Sequence, residues 1–354
     1  MNNFPKLQNR SVSRRFANDG PTVSPATSYA GVHAAPFVAP ALKLASTLAN
    51  GYVRQIDGIQ NKAVISSLTS TGTIVPANCA WDDTDSLTLG ERVLTLTDLA
   101  VMEALCRKTL LPTWAGMTGA RETMTAGSPE FVNFSMATVA GYTAQGVEVG
   151  IWQGIATTLP QGFLSNDGAF DNAGYRASIL NAGGVDGAAV TNEQVVSGTG
   201  FDAAASVIIG ATGAFHLAYN NAVTNCPAIL NRPDIAFYCS PKTAGNYMTA
   251  LAISGAHQGV NMQSTNQAFD SLQFLGIPIH VCPGMFNDAL VLTYEENLVV
   301  GSNLMTDYTT AQYIDAWQFD GSDQVKIAMR FGLGMQVGLP SDVVVAALTG
   351  IFTA

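Results

Sequence analysis

Charge is what this chain has least of. Asp, Glu, Lys and Arg together make up 12% of its 354 residues, roughly half the usual share of about 25%. A folded protein with so few charges hides much of its surface against other subunits, although a secreted or cell-surface protein shares this composition. Long apolar runs are missing too. The nearest, residues 203–219, is uncharged but contains Gly210, Gly213 and His216, and it falls short of the roughly 20 residues that a membrane span needs. A buried helix following Asp202 is the better reading. The opening Met1-Asn2-Asn3-Phe4-Pro5-Lys6 lacks an apolar core and does not read as a signal peptide.

Cysteine is sparse: Cys79, Cys106, Cys226, Cys239 and Cys282 show no CxxC and no regular spacing. An odd number without a framework argues against a disulfide scaffold and for buried free thiols in a reducing compartment. The phosphate-binding GxxxxGK[ST], the metalloprotease HExxH, the hydrolase GxSxG and zinc-type Cys/His spacings are all absent. His33, His216, His257 and His280 are widely spread. His280-Val281-Cys282 lies on an alternating strand and lacks further ligands, so it does not read as a metal site. Gly332-Leu333-Gly334 sits inside a strand pattern rather than between strand and helix. Glycine there relieves crowding or admits a neighbouring chain rather than binding a dinucleotide. Trp81, Trp114, Trp152 and Trp317 read as core or interface.

What the chain has is pattern. Val325, Ile327, Met329, Phe331, Leu333, Met335 and Val337 alternate with smaller or polar residues, the period-2 signature of a long strand with one buried face. Upstream, Tyr313, Trp317 and Phe319 share one parity, and Asp320-Gly321-Ser322-Asp323-Gln324 is turn chemistry, which predicts an antiparallel ribbon. A stripe that long needs a long cover. Ser128-Pro129-Glu130 has the residues of a helix start, and Val132, Met136, Val139, Val147 and Ile151 follow at helical spacing. This predicts a helix over 128–154 lying along the ribbon.

Charge is also unevenly placed. Residues 1–62 hold Lys6, Arg10, Arg14, Arg15, Lys43, Arg54 and Lys62 against Asp19 and Asp57, a balance of +5. With −10 for the whole chain, the remainder carries −15. An acidic body repels nucleic acid at long range, while the basic head could touch phosphate or an acidic neighbour. Residues 1 to about 40 have no sustained period and read as an extended arm. The runs at 63–68 and 91–96 predict a long hairpin too thin to bury its own core. Thr97-Asp98 is read as starting a helix through Leu99, Met102, Leu105 and Cys106, and residues 201–222 as another. Strands at 235–239 and 276–282 and a helix from Ser240-Pro241 predict a compact α/β subdomain between the long helix and the ribbon.

In that order, the basic arm, thin hairpin, long helix, inserted α/β subdomain and return through a long ribbon resemble the major capsid proteins of tailed bacteriophages. Their fold was first seen in phage Hong Kong 97. The wording is similar at Val149-Gly150-Ile151-Trp152-Gln153-Gly154, Ser240-Pro241-Lys242, Leu275-Gly276-Ile277-Pro278-Ile279 and Glu296-Asn297-Leu298-Val299-Val300-Gly301-Ser302-Asn303. The likeness covers about residues 50–345. It implies an α+β Hong Kong 97-like fold with an N-terminal arm (1–48), an extended loop (49–97), a peripheral domain (98–160 and 291–354) with a spine helix and β-ribbon, and an apical α/β domain (161–290).

It further implies a structural protein, not an enzyme, without cofactor, metal or membrane. Copies would form hexamers and pentamers of an icosahedral shell around double-stranded DNA, in the virion after assembly in host cytoplasm. Portal, scaffold and decoration proteins would be its partners. Subunit-contact candidates are Arg10, Arg14, Arg15, Lys62 and Trp81. In some relatives a loop lysine bonds covalently to a neighbour's asparagine. Lys62 is the only lysine between Lys43 and Lys108, but the partner positions have no match, so no crosslinking residue carries over. The family's large N-terminal scaffolding segment has no counterpart, which implies a separate scaffold or a trimmed chain. An encapsulin-type compartment shares the fold, and an enzyme or carbohydrate-binding protein with an unfamiliar site is the reading from another class.

Overall fold

A computed structural model describes residues 26–30, 45–70, 87–106, 129–154, 160, 162–164, 193–196, 201–202, 208–254, 272–304 and 310–348. In chain order its elements are β1 (Ala26–Ala30), α1 (Ser46–Ala49), β2 (Arg54–Ile56), β3 (Lys62–Ser70), β4 (Leu87–Thr95), β5 (Thr97–Cys106) and the long helix α2 (Pro129–Gln153). Then come β6 (Glu193–Val196), α3 (Ala214–Asn225), β7 (Ile235–Cys239), α4 (Pro241–Ser254), β8 (Gln273–Phe274) and β9 (Ile277–Val281). The chain closes through β10 (Ala289–Tyr294), β11 (Leu298–Ser302), β12 (Thr310–Asp315), α5 (Trp317–Asp320), β13 (Gln324–Val337) and β14 (Val344–Leu348).

The alternation at 325–337 forms the predicted strand. Its inward residues Val325, Ile327, Met329, Phe331 and Leu333 are each at most 2% exposed, and burying one such side chain contributes about 1.5–3 kcal/mol. β13 pairs antiparallel with β12, β11 and β5, with β1 beyond β12 and β2 beyond β11. Gly334 is where a neighbouring strand comes closest, since a Cβ there would collide with the Thr95 carbonyl. The long helix covers this sheet. Met136, Val139, Val147, Ile151 and Trp152 share one apolar cluster with the inward row of β13, as the matched lengths of helix and ribbon predict.

A second core lies in the other six-stranded sheet, ordered β6-β14-β10-β7-β9-β8. β7, β10 and most of β14 are buried, and helices α3 and α4 join them in a cluster around Phe215, Phe237, Tyr247 and Phe274. Ser240 starts α4 as predicted, its hydroxyl accepting the Thr243 amide at 3.2 Å. The boundary expected at residue 290 falls inside β10, and β14 pairs with β10. This sheet therefore draws on segments from both sides of that boundary.

Four readings are corrected. Residues 97–106 are a strand, paired residue for residue with β13 from Thr97↔Leu333 to Cys106↔Gln324. Leu99, Val101 and Leu105 are half-buried on one face, whereas Met102, which a helix would place beside them, is 74% exposed. Trp317 and Phe319 do not continue the ribbon's apolar face. They sit on α5, a helical turn closed by Gly321 at φ 69°, and are 60% and 63% exposed. α3 begins at Ala214, since the chain at 209–213, with Gly210 and Gly213, turns instead of continuing a helix; residues 203–207 lie outside the described residues. Lastly, Cys226, Cys239 and Cys282 are buried free thiols but Cys106 is exposed. Cys79 lies outside the described residues.

Candidate assembly surface

Two features of the described chain bear on how it could meet other copies: a polar anchor at residues 45–53 and the β3–β4 hairpin.

The anchor is polar and enclosed. Glu148 is only 4% exposed within α2. Its Oε2 accepts the Thr47 amide at 2.9 Å and its Oε1 accepts the Thr47 hydroxyl at 2.6 Å, so the carboxylate caps the free N-terminus of α1. Trp152 donates its indole N–H to the same hydroxyl at 3.1 Å, and the Gly284 amide reaches Glu148 Oε1 at 3.4 Å. Gly284 is glycine because a Cβ would strike the Glu148 carbonyl. Just downstream, Tyr52 stacks on His280 with centroids 4.0 Å apart, and its carbonyl accepts the Tyr238 hydroxyl at 2.8 Å. Residues 45–53 are thus fastened to the long helix and, through Tyr52, to β7 and β9 of the second sheet. The sequence signal missed here was Glu148, a lone carboxylate next to Val147 in an otherwise apolar helical stretch.

The hairpin is β3 with β4, paired from Lys62↔Thr95 to Ser70↔Leu87. One face carries Leu94, fully buried with Ile59 and Val299, and Gln336 Nε2 donates to the Val93 carbonyl at 3.0 Å. The opposite face leaves Val64 59%, Leu89 60% and Val93 46% exposed, with Val64 directly across from Val93. Lys62 opens this hairpin and is exposed. Of the other four contact candidates, Arg10, Arg14, Arg15 and Trp81 lie outside the described residues.

Among the described residues, no group of three or more His, Cys, Asp or Glu side chains is placed to hold a metal ion. The buried thiols are poor nucleophiles: burial pushes Cys226 up to about 11 and Cys239 up to about 12. His280 is held down to about 4 by burial, with Glu295 Oε1 3.9 Å from its Nε2. No described helix is long and apolar enough to cross a membrane.

The chain is similar in fold to chains of solved assemblies. It aligns with a chain of the "Satellite phage P4 procapsid including size determination (Sid) protein" at a TM-score of 0.54 and 12% identity, over 90% of this chain and 92% of that one. A chain of the "Capsid of empty GTA particle computed with C5 symmetry" gives 0.51 and 13% identity, over 86% of this chain and 90% of that one. The corresponding native GTA particle gives 0.50 at 12%, over the same shares. No family model and no curated protein matches the sequence. At such identities the likeness is one of fold: the chain has the Hong Kong 97-like major capsid fold.

Proposed function

We propose that this chain is the major shell protein of a tailed bacteriophage capsid, and that its activity is self-association. Copies close into hexamers and pentamers and then into an icosahedral shell around double-stranded DNA. The observation that carries this reading is the fold itself, shared over 90% of the chain with a chain of a phage procapsid. The physical chemistry agrees with it. A chain with 12% charged residues and a hairpin with one bare apolar face is suited to burial against copies of itself. Heterologous contacts between flat subunits close into rings. The acidic balance outside residues 1–62 suits a wall that does not grip packaged DNA.

On this reading residues 1–48 are the arm and 49–97 the extended loop. Residues 98–160 with 291–354 make the peripheral domain, and 161–290 the apical domain, with β14 serving the apical sheet. Arg10, Arg14, Arg15, Lys62 and Trp81 are contacts between subunits. Portal, scaffold and decoration proteins are its partners, and the virion is its location after assembly in host cytoplasm. The fold likeness falls on phage and GTA capsids, which favours this reading over an encapsulin-type compartment.

The test is to express the chain, with its scaffold if one is needed, and image it by negative-stain microscopy. Hollow particles or rings are expected. A monodisperse monomer under every such condition, by light scattering, would sink the proposal.

A further inference from the structure

We propose that the groove between β5 and α2 is a binding site for a small single-chain organic cation, an alkyl tail carrying one ammonium head. The site belongs to the single chain and does not rest on the shell reading.

The groove holds about 540 Å³, within the roughly 300–1,000 Å³ of small-molecule sites. Phe331 and Leu333 of β13 line it and are buried, whereas Leu99, Val101 and Leu105 of β5 line it and are only half-buried. Val139 and Val147 of α2 face them. Thr138 and Thr143 also line the helix wall, but their hydroxyls donate to the Phe134 and Val139 carbonyls at 2.9 and 2.8 Å and are satisfied within the helix. An apolar trough left open to solvent favours an apolar occupant, because filling it releases water.

Gly146 keeps the trough open. It lines the groove from within a helix of 25 residues, where glycine is a poorer choice than alanine. A Cβ there would meet no atom within 4 Å, so packing does not demand glycine. What the missing side chain provides is room in the groove.

Two carboxylates set the charge of the occupant. Asp98 and Glu103 line the groove, and among the described residues no Lys, Arg or His does. Glu103 lies directly across from the buried Ile327, so it shares the face of the sheet that meets the helix. Both carboxylates are exposed, and neither forms an ion pair with another described residue. An anionic head would be repelled by both, and a neutral head would gain little from either. An ammonium head at the mouth pairs with Glu103. Tyr142, 71% exposed on the helix lip, adds an aromatic ring of the kind that attracts cations.

The probe is decylammonium, kept below its micelle concentration and titrated calorimetrically onto the full-length chain, with decanol and decanoate as neutral and anionic controls. One molecule per chain is expected, with a dissociation constant of about 10–100 μM, about tenfold tighter than either control. Glu103→Gln should weaken decylammonium about tenfold, to the decanol value, and leave decanol unchanged. Gly146→Leu should melt no lower than the parent and lose decylammonium binding, since its side chain then occupies the trough. Absence of saturable binding, equal affinity for the three chains, or binding undiminished in Gly146→Leu would each overturn the proposal. If Gly146→Leu does not fold, Glu103→Gln decides, because that side chain is exposed and its loss leaves the core intact. An unchanged affinity for decylammonium there rejects the site.

Discussion

Glu148 ties residues 45–53 to the long helix, accepting the Thr47 amide, the Thr47 hydroxyl and the Gly284 amide. Replacing it with Ala leaves the Thr47 amide and hydroxyl and the Gly284 amide without their acceptor in an enclosed site. Each unsatisfied buried group costs about 1–3 kcal/mol, so Glu148→Ala should lose roughly 3–4 kcal/mol in urea denaturation, with early proteolysis near residues 45–53. Glu148→Gln keeps one oxygen and should lose less. Equal loss in both would show that the capping oxygens do not matter. His280 gives a pH signature. Burial holds it down to about 4 from an ordinary 6.5, stacked on Tyr52, edge-on to Tyr238 and with Glu295 Oε1 3.9 Å from its Nε2. The unfolded chain therefore binds more protons between those values. Stability from this group is full above about 6.5 and falls with pH toward 4, by about 3 kcal/mol in all. Glu295, whose carboxyl burial raises, acts in the opposite sense. Comparing pH-dependent melts, His280→Phe should keep the stack and flatten the loss between pH 6.5 and 4. An unchanged slope would rule His280 out as its source.

Among the elements, α5 was the least expected. Two large aromatics stand on one turn at the end of the ribbon, Trp317 and Phe319, each at least 60% exposed. Exposed side chains contribute little to a monomer, typically within 0.5 kcal/mol, whereas aromatics at interfaces are frequent hot spots worth about 2 kcal/mol or more. The double variant Trp317→Ser with Phe319→Ser should melt within a few degrees of the parent yet assemble poorly. Sedimentation velocity beside a thermal melt checks both halves, and a large drop in melting temperature would make the tip part of the fold instead. β5 carries a related lesson. Leu99, Met102 and Leu105 satisfy a helical spacing and Leu99, Val101 and Leu105 an alternating one. What decides between them is the backbone edge of β13, which offers a partner to every residue from Thr97 to Cys106.

At the scale of the whole molecule, nothing described suggests covalent links between copies. Three of the four described cysteines are buried, with pKa values raised by burial so that little thiolate forms near neutrality. Assembled particles run without reductant should give mainly one band near 37.1 kDa. A ladder of multimers would implicate Lys62 or the exposed Cys106.

Much of this protein was legible from local pattern alone. The long strand at 324–337, the helix at 129–153, the hairpin of β3 and β4, the buried β7 and the capped start of α4 each declare themselves within a dozen or so residues. Period and end signals are properties of neighbours in sequence, and these segments are long enough to express them without ambiguity. What only the tertiary structure decided involves residues far apart. The sheets join Glu193–Val196 to Val344–Leu348 in parallel and Arg54–Ile56 to Leu298–Ser302, and Glu148 finds Thr47 across 101 positions. Strand edges and buried polar groups take whichever partner the fold brings to them, and that choice is set by hydrogen bonds and packing over the whole chain. No local window records it.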